Sequence, residues 1–258
     1  MNTVKFVIKV MILLIPLITT RCSSLQRLSN GPEDCQTMFE FGEYYKYVDY
    51  CSTYADDDLT TQWNLATIYR SNTSGLQNLQ RSSFYTQMAA ANGLPEAVTQ
   101  LCNDYKTGTG GVRHDDGRAF WWCAKAADQG DDDAKLFIAH QYKYGIGTSK
   151  NLVEALNIYK HFAEQGDEAS EYELATIYLT QKPQNLPYGF YWLKKAYAQK
   201  YDDAVSYVDS LSSENQDCDL HSIYFDNENA NYKEANQKCG KIKHQHLDAI
   251  KLMSSLTE

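Results

Sequence analysis

The apolar run from Val10 to Ile18 falls far short of the ~20 residues a helix needs to cross a bilayer, so a membrane-spanning helix is not expected there. Positive charge is also scarce. Lys and Arg number 24 against 33 Asp and Glu, a formal net charge of -9, which repels phosphate backbones and excludes nucleic-acid binding by counterion release. Motifs that carry chemistry are missing as well. There is no Cys-x-x-Cys for thiol redox work, no His-Glu-x-x-His for zinc and no Gly-x-Ser-x-Gly nucleophile elbow. Gly108-Thr109-Gly110-Gly111 lacks the Lys and following Ser or Thr of a phosphate loop. His244 and His246 stand two apart and would point to different sides of a helix, while His140 and His161 are expected to be partly buried between paired helices. The acidic runs Asp56 to Asp58 and Asp131 to Asp133 lack the glycine and distal glutamate of a calcium loop and read as helix caps. No catalytic residue, metal site or cofactor is expected, and the 20 tyrosines are read mostly as core.

The first 24 residues differ from the rest. Lys5 and Lys9 precede the apolar run, and Thr19, Thr20 and Ser23 follow it, the order of a secretory signal peptide over residues 1–24. Cys22 lies where a lipoprotein carries its acylated cysteine, although Thr19, Thr20 and Arg21 replace the usual small apolar residues before it. Lipid attachment at Cys22 and ordinary cleavage nearby are both left open. Setting Cys22 aside leaves Cys35, Cys51, Cys102, Cys123, Cys218 and Cys239. An even set behind an export signal reads as three disulfides in an oxidising compartment.

An internal repeat organises what remains. Leu65-Ala66-x-x-Tyr69, Leu101-Cys102-x-x-Tyr105, Ile138-Ala139-x-x-Tyr142 and Leu174-Ala175-x-x-Tyr178 recur every 36 or 37 residues. A second landmark, rich in alanine and ending in Gly93, Gly130 and Gly166, keeps the same step. A glycine just past such a stretch suits the left-handed end of a helix. Gly108-x-Gly110 and Gly145-x-Gly147 join a first helix to a second, so each unit is a helical hairpin. Asp115, Asn151 and Asp131 are placed to cap helix N-termini.

Ala97, Leu101, Tyr105, Gly108, Gly110, Asp115, Ala119, Trp122, Lys125, Ala126 and Gly130 together resemble the Sel1-like repeat, with Gly111 as an inserted residue. Ala134, Ala139, Tyr142, Gly145, Gly147, Ala155, Tyr159 and Gly166 follow the same pattern. The resemblance implies an all-α fold, a right-handed α/α superhelical solenoid of tetratricopeptide-like hairpins. Its units would be residues 59–94, 95–130, 131–166 and 167–201, between an N-terminal hairpin cap at 33–56 and a C-terminal cap at 202–258. The first unit departs in having no glycine loop before Ser82. The fourth has Lys182-Pro183-Gln184 there, with Tyr188, Gly189 and Trp192 in its second helix.

Aligned on the repeat, Cys102 falls in the small column of Ala66, Ala139 and Ala175. Cys123 falls in the facing column of Thr86, Tyr159 and Leu193, so a Cys102 to Cys123 bridge across one hairpin is expected. Cys218 and Cys239 share that 21-residue interval, and Cys35 and Cys51 flank a tighter hairpin; pairing in chain order gives disulfide-held ends. The resemblance implies a non-enzymatic, monomeric scaffold whose groove takes a protein or peptide, sited in the periplasm, on the outer membrane as a lipoprotein, or outside the cell. Membrane contact would come only through a lipid at Cys22. Trp121, in a usually polar column, is either packed on a neighbouring helix or an exposed anchor. Three other readings stay open: a cell-wall or β-lactam-directed hydrolase or binder, although no Ser-x-x-Lys occurs; a structural envelope lipoprotein; and a luminal adaptor with a glycosylation sequon at Asn72-Thr73-Ser74.

Overall fold

The computed structural model describes residues 32–182 and 185–214. Every regular element among them is helical. Helices α1 (Pro32–Glu40) and α2 (Tyr44–Cys51) lead into α3 (Leu59–Arg70), α4 (Leu79–Ala91), α5 (Pro95–Thr107), α6 (Asp116–Asp128) and α7 (Asp132–Tyr144). Then come α8 (Leu152–Glu164), α9 (Glu168–Thr180), α10 (Leu186–Ala198) and α11 (Asp202–Glu214). Two compact units divide inside α7, one ending at Ala134 and the other starting at Lys135.

Local chemistry sets the helix starts. Asp58, Asn78, Asp115, Asn151 and Asp167 hold extended or near-extended backbone, and each side-chain oxygen accepts the amide three residues on. Asp131 accepts the Ala134 amide at 3.0 Å in the same way. The two acidic runs are therefore put to use at Asp58 and Asp131, each satisfying an amide with no partner inside its helix.

The second helices end alike. Gly93, Gly130 and Gly166 take φ of 93, 101 and 92°, and each donates to a carbonyl three residues back while the next residue donates to one five back. In the fourth unit Lys200 repeats the turn at φ 63° without being glycine. A Cβ at Gly130 would touch nothing within 4 Å, so only its left-handed backbone resists substitution. Gly130→Ala should thus cost about 1 kcal/mol: a penalty of roughly 1–2 for the strained φ, partly offset by the lower entropy of the unfolded chain. A urea midpoint compared with wild type checks this.

Burial follows the repeat. In the first unit Leu65, Ala66 and Tyr69 of α3, Leu101, Cys102 and Tyr105 of α5, and Ala119, Cys123 and Ala126 of α6 are buried. In the second, Ala139, Ala155, Tyr159, Ala163, Leu174, Ala175, Ile177, Leu193, Ala196, Ala204 and Val208 make one cluster, with Tyr142 and Tyr178 packed on it. Ser82, Ala119, Ala155 and Gly189 share one column of the second helices, and all four are buried. Small side chains there let paired helices approach closely. Burial pushes the phenols of Tyr47 and Tyr159 above the ordinary tyrosine range.

Several expectations need correction. His140 and His161 are exposed, because each falls on the outer side of its helix; His140 lies 4.6 Å from the Tyr144 ring, and His161 meets Gln165 one turn on. The repeat at 59–94 does use a glycine in its connection, Gly75, at φ 71°. Most of the described tyrosines are buried or packed on the core, as expected, but Tyr45, Tyr144, Tyr188 and Tyr191 are exposed, as are Phe41 and Phe84.

Candidate functional site

The core cannot bind a partner, so a site must come from what the repeat leaves outside. Two successive second helices carry the same short pattern: Arg81-Ser-Ser-Phe84-Tyr85 on α4 and Arg118-Ala-Phe-Trp121-Trp122 on α6, 37 residues apart. At 3.6 residues per turn, consecutive side chains diverge by about 100°, so an aromatic doublet cannot be buried whole. The inner member packs and the outer one stays out.

In α4, Tyr85 stacks on Tyr69 of α3, with the planes 7° apart and centroids at 6.0 Å. Phe84 meets the Tyr85 ring edge-on at 5.1 Å and is 60% exposed. Arg81 lies 5.3 Å over the Tyr69 ring and donates to its phenol oxygen at 2.8 Å. In α6 the arrangement recurs. Arg118 lies 5.6 Å over Tyr105 and donates to its oxygen at 3.2 Å, which holds the guanidinium pKa above its usual value. Trp121 meets Trp122 edge-on at 4.4 Å and is 50% exposed, with the Lys125 ammonium 4.0 Å over its ring. Trp121 thus rests on Trp122 and Lys125 of its own helix, and half of it faces solvent.

The second unit keeps the doublet only in α10, where Tyr191, 40% exposed, meets Trp192 edge-on at 5.0 Å, with Lys195 4.7 Å over Trp192. At the equivalent positions α8 has Asn157 and Ile158. Rings fixed by neighbours lose little freedom when a partner covers them, which makes them good anchors.

The cysteines and glycines are framework. Cys102 and Cys123 are bonded with Cα atoms 4.7 Å apart, joining α5 to α6, and Cys35 and Cys51 are bonded at 5.8 Å, joining α1 to α2. Cys22, Cys218 and Cys239 lie outside the described residues, as do the leader at 1–24 and most of the C-terminal cap. Gly108, Gly110, Gly145 and Gly147 take left-handed backbone in the connections. Trp122 is half-buried as the inner half of its doublet. Among the described residues no three His, Cys, Asp or Glu cluster as a metal site, and no helix is long and apolar enough to cross a membrane.

Comparison with known proteins agrees with this architecture. The Sel1 repeat model matches residues 95–131, 133–167 and 169–201. Two Arabidopsis thaliana proteins, the ERAD-associated E3 ubiquitin-protein ligase components HRD3A and HRD3B, are 32% and 31% identical over 39% and 34% of this chain. The matches span only 13% and 14% of those relatives. A protective antigen of uropathogenic Escherichia coli with an SLR fold aligns over 86% of this chain and 45% of its own, with a TM-score of 0.52 and 19% identity, a likeness of fold alone. Hairpin α3–α4 stands directly before the matched residues and is closed by the same turn at Gly93. With its repeated caps, closing turns and alanine columns, this chain carries three Sel1 repeats and has the all-α solenoid fold of helical hairpins.

Proposed function

We propose that this protein is an exported scaffold that holds a protein or peptide partner on the aromatic face of its second helices. Stacked hairpins are interaction modules, and repeat scaffolds accept many partners without catalysing a reaction. The observation that carries the reading is the recurrence, one repeat apart, of an exposed ring seated edge-on against a packed one: Phe84 on Tyr85, and Trp121 on Trp122. Single exposed apolar residues are common on any surface, but a register-matched pair braced by Arg81, Arg118 and Lys125 is a built surface. Two buried disulfides support an oxidising compartment, in keeping with an exported protein of the periplasm, outer membrane or extracellular space.

A second reading draws on the relatives' names. As the HRD3 proteins are components of a ligase assembly, this chain would be an adaptor within a larger luminal complex, and the sequon Asn72 is exposed in the α3–α4 connection. Affinity capture with the exported chain tests the scaffold and separates the compartments. The chain should retain a partner, lose most of it in the Phe84→Ser/Trp121→Ser variant, and come from envelope rather than luminal fractions. Full retention by that variant would remove the aromatic face from the reading, and no partner from either source would remove the scaffold.

A further inference from the structure

The aromatic face differs from its surroundings in charge. Residues 32–134 hold 16 Asp and Glu against 7 Lys and Arg, so the first unit is acidic. On α4 the only charged residue is Arg81, and on α6 the charges between the first and last residues are Arg118 and Lys125, with acids only at Asp116 and Asp128. Three cations thus flank Phe84 and Trp121 where the rest of the unit is negative.

These cations are held in place. Arg81 and Arg118 each spend one guanidinium N–H on a phenol oxygen, Tyr69 and Tyr105, and sit over the same rings. A guanidinium has five donors, so more remain for a second acceptor. Arg118 also has Asp115 at 3.7 Å, an exposed pair of little strength. Lys125 is fixed over Trp121 and Trp122 and is exposed. Fixed cations beside fixed rings match a ligand that offers apolar side chains and carboxylates together.

We infer that the α4–α6 face binds an acidic peptide segment of a partner protein, its apolar side chains covering Phe84 and Trp121 and its carboxylates meeting Arg81, Arg118 and Lys125. The inference rests on the scaffold reading and adds the partner's chemistry. A lysine-bearing segment of equal apolar content would be drawn to the unit's general field yet repelled at this face. Local contact outweighs the general field here, since exposed charges beyond roughly 8–10 Å are screened at ordinary salt.

The test uses the exported full chain and two short synthetic peptides with the same Leu and Phe residues, one interspersed with Glu and the other with Lys. Titration followed by tryptophan fluorescence at about 50 mM salt should show the Glu peptide binding about tenfold tighter, a margin that shrinks as salt rises. Arg81→Gln/Arg118→Gln/Lys125→Gln should fold as wild type by circular dichroism and lose most of this discrimination. Phe84→Ser/Trp121→Ser should lose binding of the Glu peptide. Equal or tighter binding of the Lys peptide overturns the inference, as does discrimination that survives the triple replacement. Should neither peptide bind while the wild-type chain still captures a protein, the charge inference fails and the scaffold stands; should capture fail too, both fall.

Discussion

Replacing Asp104 with Ala should destabilise the first unit by about 3–5 kcal/mol, a large share of the roughly 5–15 kcal/mol that holds a domain together. The Asp104 side chain is fully buried on α5. It accepts from both terminal nitrogens of Arg70 at the end of α3, at 2.9 and 2.6 Å, and from Gln100 and Thr109 at 3.1 and 3.2 Å. The pair ties successive first helices together and sits against the Gly110 loop, where a Cβ on Gly110 would collide with the Asp104 carboxylate and the Arg70 guanidinium. Removing the carboxylate strands the guanidinium of a side chain that is only 28% exposed, and it also unmakes the hydrogen bonds of Gln100 and Thr109. The sign reverses when both partners go. Arg70→Met/Asp104→Leu leaves no uncompensated charge, so it should recover most of the loss. Urea unfolding of both variants checks this, and a double replacement as unstable as the single would show that the cost lies in packing around Gly110 instead.

Local signals in the sequence carried the frame. An Asp or Asn directly ahead of a helical stretch is placed to accept the free amide three residues on, which makes Asp115, Asp131 and Asn151 readable as caps without any knowledge of the fold. Column alignment placed Cys102 against Cys123 because the repeat itself says which positions face each other. Surface polarity was harder to read. Tyrosine and tryptophan at helical spacing fit a core as well as a face, which leaves Trp121 open between the two; the usable signal is the doublet, since Phe84-Tyr85 and Trp121-Trp122 cannot both turn in. The Arg70–Asp104 pair was hidden for another reason. It links columns of adjacent repeats, and the equivalent pairs in the sequence, Lys106 with Gln141 and Lys143 with Ile177, do not preserve it. The second unit instead joins Lys143 to Glu173 and Thr176. A repeat reveals what its copies share and conceals what one junction does alone.

Cys102→Ala/Cys123→Ala should cost the first unit about 3 kcal/mol, the value the chain-entropy model gives for closing a loop of 21 residues, with a further loss where the sulfurs leave space. Both cysteines are buried, at 2% and 0% exposure, in the columns where a first helix meets its partner. The double replacement is the cleaner measurement, because a single one leaves a buried free thiol. The bridge acts within one hairpin, so its loss should loosen α5 against α6 before it disturbs α4. Hydrogen exchange would show this as faster exchange in residues 95–128. The same burial predicts the response to reductant. With neither sulfur accessible, mild dithiothreitol should leave the bond intact in the folded chain and cut it as the unit opens, so that the reduction rate tracks unfolding as denaturant is added. Rapid reduction of Cys102–Cys123 in native buffer, with stability unchanged, would mean that helix packing and the Arg70–Asp104 pair alone hold this hairpin shut.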